Sequence, residues 1–215
     1  MASLPLPLRN RLAELILEAF EPGEARATVL ALARAAGPDE CAIEAADAKR
    51  LLALGWFESV APGRLRLRGA HRAHGADLAE RASRAASVVR GWRERHGEGL
   101  VPLLGRTAAL ANRGLYFEVH ELLEPVWFGA AEPERTALQG LIQVAVAFHH
   151  LDNGNREGAR SLLALGVAKV AETESALPLP TRGWLDELRP VLAALTRGED
   201  PPLAPRWPEA RESTS

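Results

Sequence analysis

The chain has 215 residues, of which 47% are hydrophobic and 25% charged, with a formal net charge of −2 and a single cysteine. Length and composition suit one globular domain or two small ones. The near-neutral charge gives no global reason to expect nucleic acid, and one cysteine excludes an intramolecular disulfide and paired-thiolate metal sites. No apolar run approaches the roughly 18 residues of a spanning helix, so no membrane partner is expected. The N-terminal MASLPLPLRNR lacks a charged region ahead of a long apolar core. That reads as no secretory signal, and a cytoplasmic location is expected.

Leu8 to Phe20 and Glu24 to Ala36 repeat apolar residues at helical spacing, and Glu21-Pro22-Gly23 and Gly37-Pro38 stop them. A third helix is expected over Asp39 to Leu54. FESV (57–60) and RLRLR (64–68), separated by Ala61-Pro62-Gly63, read as the strands of a hairpin. Three helices and then a hairpin is the winged-helix order, and KRLLALGWFESVAPGRLRLRG resembles the recognition-helix-to-wing junction of that superfamily. The domain expected is 8–70.

A long polar helix from His71 to His96 should connect the halves over 71–97, with the boundary at His96 to Gly99. The stretch from Arg64 to Arg95 carries nine arginines against Asp77, Glu80 and Glu94. Arg64, Arg66 and Arg68 alternate along the expected wing and are candidate nucleic-acid contacts, since phosphate is met by such side chains. Yet the third helix opens with Asp39, Glu40, Glu44 and Asp47, which the phosphate backbone would repel. DNA binding should therefore be weak at most.

The second half reads as an all-helical bundle over 98–198. It has a short helix at Pro102 to Ala111, a motif helix at Leu115 to Trp127, and a long apolar helix from Pro133 to about Asp152. Asn155 should cap a helix to about Glu174, and a last helix runs from Trp184 to Arg197. The proline-bearing tail, 199–215, is expected to be extended and partly disordered. The fold class is thus mainly all-α: a C-terminal multi-helix bundle preceded by a small winged-helix-like domain with one β-hairpin.

Two of these helices carry polar side chains where a packed pair should be apolar, and such conflicts mark functional sites. At about 100° per residue, His120, Glu121 and Glu124 share one edge of the motif helix, with Glu118 nearby in sequence and Trp127 at its end. On the next helix Gln139, Gln143 and His150 line up beside Gly140 and Ala147. Those small residues would let a neighbour come close, and the motif helix is the expected neighbour.

Three readings stay open for this cluster. A hydrogen-bond network of Glu, His and Gln between the two helices would need no ligand. A divalent metal on His120 and Glu124 suits the donor types, although HELLE has glutamate where a zinc protease needs its second histidine. A pocket for a small ligand or peptide is the third.

The spacing of Tyr116, Glu118, His120, Glu121, Glu124 and Trp127 carries a resemblance, together with Gln139-Gly-Leu-Ile-Gln143, Gly154-Asn155 and Gly158-Ala159. These motifs resemble, in order, a bacterial family catalogued as domain of unknown function 309. The resemblance implies the helical bundle and names no activity. The sequence is read as a non-enzymatic binding or protein-interaction module with no cofactor expected and with a protein partner or self-association. A metal-dependent hydrolase on the EVHELLE helix and a DNA-binding regulator are the alternatives.

Overall fold

The structure is a computed structural model that describes residues 4–37, 39–93 and 99–210. It divides into two compact units, one up to Trp92 and one from Arg93 onward.

In the first unit, α1 (Leu6–Glu18) and α2 (Glu24–Ala35) turn their apolar stripes inward, burying Leu8, Leu12, Leu15 and Ile16 on one and Val29, Leu32 and Ala35 on the other. The third helix is shorter than expected. Residues 41 and 42 form a strand, β1 (Cys41–Ala42), and α3 runs only from Ala45 to Ala53. Pro38, read as part of the stop before it, lies outside the described residues.

β2 (Phe57–Ala61) and β3 (Arg64–Leu67) form the expected hairpin, and β1 joins it to give an antiparallel sheet of order β1-β3-β2. Phe57 pairs with Leu67, while both Ser59 and Cys41 pair with Leu65. Because side chains alternate along a strand, Leu65 and Leu67 enter the core while Arg64 and Arg66 face out.

The polar segment that follows is broken. α4 (Gly69–Arg72) is a single turn and α5 (Gly75–Gly91) the main helix. α5 is more than a connector, for it packs on α2 and buries Leu78, Ala82, Ala85, Ala86 and Val89. Trp92 closes it edge-on against Phe20, with ring centroids 4.8 Å apart. α5 stops at Gly91, short of the expected end, with Trp92 already extended; His96 and the boundary at 96–98 lie outside the described residues.

The second unit is a run of helices: α6 (Val101–Ala111), α7 (Tyr116–Gly129), α8 (Glu134–Asp152), α9 (Arg156–Glu172) and α10 (Thr181–Arg197), each packing on the next. α8 is central and buries Leu138, Gly140, Leu141, Val144, Ala145 and Phe148. Its small-residue face receives α9, not α7. A Cβ on Gly166 would lie 2.8 Å from the Gly140 carbonyl and 2.9 Å from the Val144 amide, so the two backbones meet there.

The α8–α9 corner depends on three residues of the expected motif. Gly154 takes φ +75°, a left-handed conformation that side chains disfavour. Asn155 caps α9 by accepting the Gly158 N–H at 2.9 Å. Gly158 gives that cap room, since a Cβ there would come within 2.7 Å of the Asn155 amide.

The tail has no regular secondary structure as far as it is described, to Ala210. Trp207 and Ala210 are buried. Among the described residues no helix is long and apolar enough to cross a membrane.

Candidate functional site

α7 has two unlike sides. Tyr116, Phe117, Glu118, Val119 and Leu123 are buried, and Tyr116 stacks on Phe148 of α8 at 5.3 Å. Glu118 is fully buried. It lies on the opposite side of the helix from His120, so it belongs to the interior and not to the cluster.

The other side carries His120, Glu121, Glu124, Trp127 and Phe128 at the i, i+1, i+4, i+7, i+8 spacing of one helical stripe. The side chains of His120, Glu121 and Glu124 are 26%, 35% and 40% exposed. The buried polar network expected here is therefore an accessible stripe. Phe128, one residue beyond the expected end of the motif helix, is the last aromatic of the helix and is 63% exposed. Its spacing, four residues beyond Glu124 and eight beyond His120, was the available signal.

His120 is held by both carboxylates. Its Nδ1 lies 3.1 Å from Glu121 Oε1 and its Nε2 3.6 Å from Glu124 Oε1. One acid addresses each ring nitrogen, so the two do not converge with the imidazole at a single point. Among the described residues no group of three or more His, Cys, Asp or Glu is arranged to hold a metal ion.

Trp127 is half-buried, with the Arg135 guanidinium 5.4 Å from its ring centre and Phe128 at 4.8 Å. Pro125 is inside the helix. It lacks the amide that would bond the Glu121 carbonyl, so the helix gives up one backbone bond on this exposed turn.

The polar residues of α8 divide. Tyr116 with Phe148, Phe117 with His149 at 5.7 Å, and Trp127 with Arg135 set an antiparallel register. In that register Gln143 is about level with His120 and Gln139 with Glu124. Both glutamines are half-buried. Gln143 Oε1 makes no hydrogen bond among the described residues, so it does not close the network expected with His120. His150 leaves the cluster, since its Nδ1 lies 3.0 Å from the Asn155 side-chain nitrogen at the α8–α9 corner.

In the first unit the three candidate arginines are already engaged. Arg66 Nε donates to Glu58 Oε1 at 2.7 Å, from the residue paired with it across the hairpin. Arg64 meets Glu40 at 3.4 Å, and Arg68 Nε donates to the Phe57 carbonyl at 3.1 Å. Arg66 holds the Glu58 carboxyl below its ordinary range. On α3, Asp47 pairs with Arg34 and Arg50. Burial raises the Cys41 thiol, which opposes any reactive role.

A sequential helical bundle with a half-exposed acidic and aromatic stripe is thus the class of domain that the second unit forms. Within it, residues 104–162, from α6 into α9, match a family model described as "Domain of unknown function (DUF309)". The match spans α7, α8 and the Asn155 corner, so the likeness lies in the same residues as the stripe. A search of curated proteins and a search of solved structures each found no match.

Proposed function

We propose that the second unit is a non-enzymatic, cytoplasmic binding module that meets a protein partner through the half-exposed face of α7. The observation that carries this is the line of His120, Glu121, Glu124, Trp127 and Phe128 along a helix whose opposite side is core. Exposed aromatic anchors within a polar surround are the usual make-up of a protein contact. Two carboxylates facing an imidazole, with no arginine or lysine on α7, favour a partner segment that brings lysine or arginine beside an apolar side chain.

The metal-dependent hydrolase is a weaker reading, because only one carboxylate can share an ion with either ring nitrogen of His120. The DNA-binding regulator is weaker too. Its arginines are occupied, and α2 and α3 are separated by residues 36–44, which include β1, where a helix-turn-helix has a turn of about 3–4 residues.

The test is a photo-crosslinking amino acid at Phe128, with a control at Leu165, which is 52% exposed on α9. A defined protein should be captured from living cells at 128 and not at 165, and charge reversal of Glu121 and Glu124 should abolish it. Equal capture at both positions, or none at 128, would overturn the proposal. A melting temperature raised by zinc, manganese or iron and lowered by EDTA would favour the hydrolase instead.

A further inference from the structure

The final described stretch has no regular secondary structure, yet it is held at two defined places. At its start Arg156, the first residue of α9, donates to Asp200 Oδ1 at 2.8 Å and to the Glu199 carbonyl. At its end Asn112, the C-cap of α6, grips the backbone of one residue from both sides. Its Oδ1 accepts the Trp207 N–H at 2.8 Å, and its Nδ2 donates to the Trp207 carbonyl at 3.4 Å. The Trp207 ring lies 4.8 Å from that of Trp184 on α10 and is 2% exposed.

Between the two anchors the chain is largely exposed, Leu203 at 94%, with Pro201 and Pro205 half-buried. A tail serving only as core would bury its leucine along with its tryptophan. A single deep aromatic anchor with a clamp on the main chain is instead how an extended peptide is bound. Main-chain hydrogen bonds accept any sequence, and one side-chain pocket selects. Pro201, Pro202, Pro205 and Pro208 stiffen the segment, so less freedom is lost on docking.

A second observation concerns the indole N–H groups. Those of Trp184 and Trp207 are both buried with no acceptor among the described residues. A donor left unsatisfied weakens the contact in which it is found. The docked tail is held less firmly for it, and so can give way to a competing segment with the same anchor.

We propose that the groove formed by Asn112 and Trp184 is a peptide-binding site with residues 199–210 as its tethered occupant. Its ligand in trans is an extended, tryptophan-centred segment of a partner protein. The site is separate from the α7 face and does not depend on that reading. A tethered occupant acts at an effective concentration of about a millimolar. A groove with an intrinsic dissociation constant of about 10 μM would therefore bind a free peptide about 100-fold more weakly while the tail is docked.

The test uses the full chain carrying Trp207→Ala and a fluorescent synthetic peptide of residues 199–210. The variant should keep its helical circular dichroism and bind the peptide at least about tenfold more tightly than the native chain. Adding Asn112→Ala to the variant should weaken that binding, and a peptide with the same Trp207→Ala change should not bind. A folded variant that ignores the peptide, or native and variant chains that bind it equally, would overturn the proposal. Loss of helical structure in Trp207→Ala would also overturn it, by making the tail a part of the core. Sedimentation of the native chain covers the remaining occupant. A dimer that disappears in Trp207→Ala would assign the groove to exchange between two copies and exclude the partner-protein reading.

Discussion

The arginine hairpin of the first unit and the acidic helix of the second unit are alike in sequence, each a run of one charge sign at regular spacing. They differ in what the fold leaves available. In the hairpin Arg64, Arg66 and Arg68 are taken up by Glu40, Glu58 and the Phe57 carbonyl. On α7, Glu121 and Glu124 meet only one imidazole in the contacts seen, beside an exposed phenylalanine. Abundance of charge is therefore a poor guide to a binding surface. Charge that the fold leaves accessible is a better one.

The sharpest way to probe that difference lies within α7 itself. Glu118 is interior, whereas Glu121 and Glu124 are accessible. Glu118→Ala should cost about 1–3 kcal/mol, the usual range for a change at a buried site. Glu121→Ala and Glu124→Ala should each stay within about 0.5 kcal/mol. Denaturant melts of the three variants read this directly, and equal losses would erase the distinction between the two sides.

A smaller effect separates an accessible stripe from a buried network. His120→Ala and Gln143→Ala should be additive within about 0.5 kcal/mol, because no hydrogen bond joins them. A double variant clearly less damaged than the sum would restore the network reading.

The smallest effect concerns the hairpin. Its pairing with Arg66 depresses the Glu58 carboxyl, so whatever the pair adds to stability is present above the ordinary carboxylate range. It is lost as pH falls through the lowered value. Glu58→Gln should therefore melt close to the native chain at neutral pH, with any difference vanishing in acid. The same change frees Arg66 and Arg72, both paired to Glu58. Binding to a random duplex at low salt should rise, and its salt slope should steepen by about 0.9 for each arginine that then meets a phosphate. No change would mean that these arginines are not held back by Glu58.

The elements of both units were largely legible, because apolar spacing, Pro-Gly stops and the Asn155 cap are local signals. β1 was not. Two residues opening onto β3 have no period of their own and exist as strand only through pairing with Leu65 and Arg64. The stripe on α7 could be read from spacing, but its exposure could not. A helical wheel shows which residues share a side and not which side faces the core. In the same way Gly140 advertised a close neighbour without naming it, since Gly166 lies a whole helix further on. The arginine pairs needed the hairpin register. The docking of Trp207 was not legible, because neither it nor its distant clamp Asn112 gave a local signal.

The most direct test of the α7 proposal is the affinity of the partner captured at position 128, measured with the native chain and with Glu121→Gln/Glu124→Gln as salt is varied. The expected result is at least about a tenfold loss at low salt, a shallower salt dependence and an unchanged melting temperature. Undiminished affinity in a stable double variant would contradict the proposal.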